Sequence, residues 1–442
     1  MAVKRVVITG MGWVTPLGCD LEGAWRAMLA GRGAARAVRG FEAGTFATNF
    51  AAEVDGFELS AFLGEASRVH ERAGRGTQFA LAAAMMAWRQ AGLDRGGVLP
   101  ERAGVYLGAG ESSPDSAKFG RMCIDSWDAS AGVLDERRWA EAACGLDLWR
   151  EVEQEPQMAL LHVAQALGVR GPSMNCMTAC AASTQAIGEA SMLIAGGEAD
   201  VMVSGGCHSM IHPLGMTGFI RLSAMSTRRE DPSRASRPFD RTRDGFVMGE
   251  GAGVLVLESL EHALARGARP LAELVGYGSS ADAYRITDID PHGDGAYRAM
   301  SMALERAGID PQGVGDDGRP LVHFISAHGT GTRENDGIET RAVRRLFGGF
   351  ADRVPMSSLK SMTGHLIQAA GAVELIACVR SLETGWLTPT LHLDEPDPAC
   401  DLDYVPNVAR DCNGEGGVGV CLSNSFGFGG QNDSVVVRRW GE

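Results

Sequence analysis

The sequence predicts an α/β fold made of two related halves, and three observations carry that prediction. Short apolar runs ending in glycine or polar residues alternate with stretches of helical spacing over the whole chain. The apolar runs are continuous rather than alternating, the pattern of strands buried on both faces. Two segments not far short of half the chain apart also echo one another. Cys180 is followed by A-A-S-T-Q-A-I-G-E-A and His365 by L-I-Q-A-A-G-A-V-E-L, each a polar strand end feeding a helix of small residues. Such helices can pack back to back and bring their N-termini to one place.

In chain order, residues 6–9 form a buried strand running into a turn at Gly10-Met11-Gly12. Residues 21–29 have helical spacing, and 77–92 is a helix rich in Ala and Met, closed by glycine. A second strand falls at 104–110. Residues 111–156 are more polar, carry three tryptophans and several acids, and read as an insertion or cap. A helix at 158–167 leads to the Cys180 strand–helix unit and a strand at 200–204. The 226–251 stretch, dense in Arg, Asp, Gly and Pro, reads as loop. Strand 253–258, helix 259–266, strand 272–277 and helix 296–307 follow. A strand at 321–326 ends in A-H-G-T-G-T, and the chain finishes with a strand at 434–439.

The 442 residues are 45% hydrophobic and 22% charged, the balance of a globular chain. A formal charge of −14 argues against nucleic-acid binding and against docking on an anionic membrane surface. No apolar run approaches the ~18 residues of a membrane span, and the opening segment meets glycine too early for a signal peptide. Ten cysteines in a chain this long do not make a secreted disulfide framework. The expectation is a cytoplasmic protein with reduced thiols.

Cys180 stands where a strand end gives way to a helix. The positive end of the helix dipole and the free N–H groups there favour the thiolate, the nucleophilic form. A small, inert, buried thiol is the competing reading of this segment alone. His328 in A-H-G-T-G-T, Lys360 and His365 in K-S-M-T-G-H, and the loop N-S-F-G-F-G-G-Q-N from Asn424 each have a plain structural explanation when taken singly. Cys176-x3-Cys180 with His208-x3-His212 superficially resembles a zinc pattern, but the gap between the pairs is too wide for a zinc finger. A dinucleotide site at Gly10-Met11-Gly12 lacks its third glycine.

Together and in order, these segments resemble the β-ketoacyl-acyl-carrier-protein synthases of the elongating, thiolase-fold type. The resemblance spans nearly the whole chain. It includes V-V-I-T-G-M-G near the start, T-A-C-A-A-S around Cys180 and R-P-F-D-R-T-R-D-G-F-V-M-G-E-G-A-G from Arg237, besides the three segments above. It implies a thiolase fold of two pseudo-duplicated halves in five αβαβα layers, with halves at 1–258 (carrying the 111–156 cap) and 259–442. It implies decarboxylative Claisen condensation of an acyl group on Cys180 with a malonyl group on acyl carrier protein. Cys180 is then the nucleophile, His328 and His365 the catalytic pair, and Lys360 an electrostatic organiser partnered by Glu339. The N–H groups of Cys180 and Phe428 hold the oxyanion, Phe428 gates the site, and Thr330 and Thr332 meet the pantetheine arm. Arg68, Arg72, Arg75, Arg228 and Arg229 are candidates for docking the acidic carrier. No metal or other cofactor is expected beyond the carrier's phosphopantetheine. A homodimer, or a heterodimer with a second ketosynthase-like subunit, is expected.

Relatives within the fold differ at readable positions. Thiolases carry a C-terminal Cys-x-Gly, whereas Cys421 is followed by Leu-Ser; CoA-primed synthases place Asn where His365 stands. Chain-length-factor subunits, the alternative reading, typically lack the nucleophile that Cys180 supplies. The cap, and Glu155-Pro156-Gln157-Met158 where many family members have an Asn-containing helix start, depart from the fatty-acid pattern. Fatty-acid and polyketide or polyene synthesis both stay open.

Overall fold

The computed structural model describes residues 3–110 and 115–441. Ten strands carry the fold: β1 (Val6–Val14), β2 (Ala103–Ala109), β3 (Ser173–Cys176), β4 (Val201–His208), β5 (Gly251–Ser259), β6 (Ala272–Ala281), β7 (Phe324–Ser326), β8 (Met356–Ser357), β9 (Val420–Gly427) and β10 (Gln431–Arg439). They hydrogen-bond in the order β8-β7-β9-β10-β6-β1-β5-β4-β2-β3. Numbered from its own first strand, each half therefore runs 3-2-4-5-1. In each half the fifth strand pairs antiparallel with both neighbours, whereas the third, second and fourth pair in parallel. The halves meet where β1 pairs with β6 through Val6–Leu274, Val7–Glu273 and Ile8–Ala272.

Six helices complete the layers: α1 (Arg75–Gln90), α2 (Met158–Leu167), α3 (Ala182–Ala195), α4 (Asp294–Ala307), α5 (Arg333–Phe347) and α6 (Ala370–Thr384). Helices α1 and α2 cover the outer face of the first half and α4 that of the second, with α5 packed on α4. Between the halves lie α3 and α6, which touch strands of both. This is the five-layered αβαβα thiolase architecture. The sandwiched position explains the helix sequences: α6 is buried nearly all round, as an apolar helix without a polar face requires.

Several strands are longer than their apolar runs suggest, with β6 running on to Ala281 and β10 starting at Gln431. β1 continues through Gly10 and Gly12, which are not a turn. A Cβ there would lie 2.1 Å from the carbonyl oxygen of Ala87 and 2.3 Å from that of Ala83, so the glycines admit α1 onto the strand. β4 likewise runs on through Gly205 and Gly206 to His208. The cap is more ordered than its composition suggests, with helices at Ser116–Asp125, Glu136–Ala143 and Leu148–Val152 and a strand pair Trp127–Asp128 with Val133–Leu134. Its residues 111–114 lie outside the described segments.

The internal echo is real, but its register differs from the sequence expectation. Ala179 (φ +47°) opens a 3-10 turn, Ala179–Ala181, that leads into α3; Ile367 (φ +44°) opens the turn Ile367–Ala369 that leads into α6. The counterpart of Cys180 is thus Gln368, not His365. Neither residue with positive φ is glycine, so both turns carry backbone strain at equivalent positions.

Candidate active site

The two strained turns pack against each other at the centre of the molecule. Cys180 is 3% exposed, and its Sγ lies 3.0 Å from Nε2 of His365. His328, two residues past β7, places its ring 5.5 Å from that of His365 at an interplanar angle of 81°. Phe246 meets His365 edge-on at 5.3 Å, and Phe426 meets His328 at 5.9 Å. These side chains and Phe428 line a cavity of about 30 Å³. Thr330 and Thr332 border the same cavity, their hydroxyls 2.9 Å apart, with Thr332 also capping α5 through the N–H of Asn335.

Hydrogen bonds fix the tautomers of both histidines. The N–H of Ile367 donates to Nδ1 of His365 at 3.3 Å, leaving the proton on Nε2, which faces Cys180. Nδ1 of His328 lies 3.5 Å from the Lys360 ammonium, which only donates, so its proton also sits on Nε2. Burial and the Lys360 charge lower both pKa values well below the usual imidazole range, and both rings are neutral donors at pH 7.

Lys360 pairs with Glu374, at 2.5 Å, and not with Glu339. Its remaining donors go to the His328 carbonyl at 2.6 Å and to His328 Nδ1, which uses all three N–H bonds. Glu339 has a different task. Its two oxygens accept the N–H groups of His328 and Gly329, each at 2.9 Å, and Oε1 also accepts from Asn424 at 3.2 Å. It holds the backbone of the A-H-G-T-G-T loop. Burial raises the pKa of Glu339 to about 6 and that of Glu374 to about 7.

The helix start does not by itself make Cys180 a thiolate. Burial pushes the thiol up to about 11, and Lys360 with the N–H groups of Phe428 and Cys180 offsets this only in part. Those two N–H groups act on the sulfur as hydrogen-bond donors. Gly427 makes room for them: a Cβ there would lie 3.3 Å from the Cys180 nitrogen and 2.9 Å from the Thr178 carbonyl oxygen.

Apart from Phe246, which lines the cavity, the segment from Arg237 is scaffold. Arg243 bonds Asp397 and the carbonyls of Asp240, Thr332 and Arg333; Phe239 donates to Asp336; and Val247 accepts the His365 N–H at 2.7 Å. The zinc-like set does not form. Among the described residues only Cys180, His328 and His365 bring His, Cys, Asp or Glu ligand atoms close enough together to hold a metal, without Cys176, His208 or His212.

Of the five arginines, Arg68 and Arg72 are exposed and without an ion pair among the described residues. Arg75 is engaged by Glu250 at 2.8 Å. Arg228 and Arg229 donate to the carbonyls of Thr242 and Gly44.

Among the described residues no helix is long and apolar enough to cross a membrane. Residues 3–263 match the β-ketoacyl synthase N-terminal domain and residues 271–394 the β-ketoacyl synthase C-terminal domain. The chain is 39% identical over 437 residues to 3-oxoacyl-[acyl-carrier-protein] synthase 2 of Synechocystis sp., covering 99% of this chain and 98% of that one. It is 37% identical to the Coxiella burnetii protein of the same name, over 99% of both chains. Among solved structures, "The ishigamide ketosynthase/chain length factor" superposes with a TM-score of 0.85 at 33% identity, over the whole of both chains. A type II PKS acyl-carrier protein complex with its ketosynthase bound to the hexaketide gives 0.83 at 32%, covering 99% of this chain and 100% of that one. With the Cys180–His328–His365 constellation, these matches make the chain a member of the β-ketoacyl synthase family and a condensing enzyme.

Proposed function

We propose that the condensation is carried by Cys180, with His328 and His365 donating to the malonyl thioester and Lys360 organising them. Cys180 gives up its proton as its sulfur attacks an acyl thioester on a carrier protein. The N–H groups of Cys180 and Phe428 hold the tetrahedral oxyanion, and the carrier's thiol leaves with a proton. Malonyl carrier then enters and loses carbon dioxide. The electron pair of the broken C–C bond becomes an enolate, whose oxygen accepts from the two Nε2–H groups. The enolate carbon attacks the acyl-cysteine, a C–C bond forms and Sγ leaves as thiolate.

The observation that carries this reading is the pair of fixed tautomers. Both imidazoles are neutral, each with its Nδ1 already occupied as an acceptor and its Nε2–H turned to the cavity. A pair built to abstract a proton would present lone pairs instead.

A cavity of about 30 Å³ holds little more than a water molecule, so Phe428, half-buried at its mouth, must move before an acyl chain passes. Thr330 and Thr332 would receive the pantetheine arm. The exposed Arg68 and Arg72 are better placed than Arg75, Arg228 and Arg229 to meet an acidic carrier. The reaction needs no cofactor beyond the carrier's own arm. The outer edge of β3 ends the sheet and is unpaired among the described residues, which favours a second subunit there, either another copy or a ketosynthase-like partner. The proposed setting is cytoplasmic, with the division at 1–258 and 259–442. Cys180 speaks against a non-elongating, chain-length-factor role, and the cap is where fatty-acid and polyketide service would differ.

The test supplies acyl and malonyl carriers and measures carbon dioxide and β-ketoacyl product. His328→Ala and His365→Ala are expected to lower condensation about 10²–10³-fold while Cys180 still acylates. Unimpaired condensation in either variant overturns the assignment of the pair.

A further inference from the structure

Gln368 occupies in the second half the place that Cys180 holds in the first, at the middle of a strained turn feeding a central helix. Its side chain is fixed. Oε1 accepts a 2.5 Å hydrogen bond from Nδ1–H of His208, the last residue of β4. A carboxamide oxygen only accepts, which sets the tautomer of His208. His208 is 3% exposed, and burial lowers its pKa to about 4, so it stays neutral. The backbone has been cleared for this pair: a Cβ on Gly110 would lie 2.3 Å from Nε2 of Gln368.

The neighbour of Gln368 is Ile367, held at φ +44°, whose N–H reaches Nδ1 of His365 at 3.3 Å. That bond is long, so a small rotation of the turn breaks it. Without it, nothing from the backbone keeps the His365 proton on Nε2.

We infer that the His208–Gln368 hydrogen bond is a positioning element for condensation, holding the Ile367 turn so that its N–H sets the tautomer of His365. Neither residue touches the reacting atoms. The inference rests on the role proposed above for His365.

The test compares Gln368→Leu, His208→Leu, their double variant and Gln368→Glu, with Cys180 acylation and condensation measured separately. Each Leu variant is expected to lower the kcat of condensation about tenfold, a fraction of the 10²–10³-fold that loss of a whole oxyanion donor costs. Acylation should stay within about twofold. The acid limb of the condensation pH profile should move to higher pH, because neutral His365 has lost a donor to Nδ1. The double variant should be no worse than either single one, and Gln368→Glu, which still accepts from His208, should recover most of the loss. If Gln368→Leu does not fold, His208→Gln and His208→Leu give the same comparison from the other partner. Condensation unchanged, or both steps falling together with Tm, overturns the positioning role. His365→Ala separates the two ideas. An inactive His365→Ala beside an unaffected Gln368→Leu sinks the positioning alone, whereas an active His365→Ala sinks the role of His365 itself.

Discussion

Lys360 and Glu374 form an ion pair at 2.5 Å with side chains only 1% and 2% exposed, the ammonium also bonding the carbonyl of His328. The ammonium is held in an interior where its charge lowers the pKa of both histidines and draws on Cys180.

The two halves of this pair differ in what their loss leaves behind. Glu374→Leu strands a buried ammonium and is expected to cost about 3–5 kcal/mol of stability. Lys360→Met strands Glu374, but a carboxyl already raised to about 7 can take up a proton and be neutral, so the loss should be smaller, about 1–2 kcal/mol. Urea unfolding at pH 7 measures both. Equal costs, or Lys360→Met as the worse variant, would contradict this account.

Gly427 tests the oxyanion hole without touching a catalytic side chain. A methyl at this position lies against the Cys180 nitrogen and the Thr178 carbonyl. Gly427→Ala is expected to slow Cys180 acylation about 100-fold, near the loss measured when an oxyanion donor is removed. Single-turnover acylation followed by mass spectrometry reads it, and a rate within twofold of the unchanged enzyme would be inconsistent with the hole.

Asp433 gives a pH dependence of stability independent of catalysis. It is buried between the halves, accepts the Tyr277 hydroxyl at 2.7 Å, and has its pKa raised to about 7 by burial. The folded state therefore binds this proton more tightly than the unfolded chain. Its contribution to stability is full below pH ~4, falls as pH rises to about 7 and is constant above. Asp433→Asn should match the unchanged protein at pH 4 and exceed it by about 4 kcal/mol at pH 8. Glu339 and Glu374 titrate in the same direction but cancel in this comparison. A variant no more stable at pH 8 than at pH 4, relative to the parent, would refute the assignment.

Much of the site was legible because its residues sit at element ends, where a short motif carries the geometry. His328 follows β7, Cys180 precedes α3, and Gly427 with Phe428 closes β9. Partners supplied from the interior of a helix were not legible. Glu339 and Glu374 are both buried glutamates downstream of His328, and spacing does not say which faces Lys360. One signal was available: helical side chains lean toward the N-terminus, and Glu374 lies one turn into the helix whose start forms the site. The echo was misaligned for a related reason. His365 is the chemically conspicuous residue there, whereas the repeat is in the backbone, at Ala179 and Ile367. Gln368 carries no motif and His208 belongs only to the zinc-like spacing that does not form, so it is their meeting in space that singles them out.

The central claim is that Cys180, a thiol raised to about 11 by burial, becomes the acyl-bearing residue once a carrier delivers its thioester. Intact-mass spectrometry of the enzyme after incubation with acyl carriers of graded chain length tests this most directly. The account predicts a mass gain of one acyl group, mapped by proteolysis to Cys180, absent in Cys180→Ala and discharged by malonyl carrier. An adduct that persists in Cys180→Ala, or no adduct with any carrier, would contradict it.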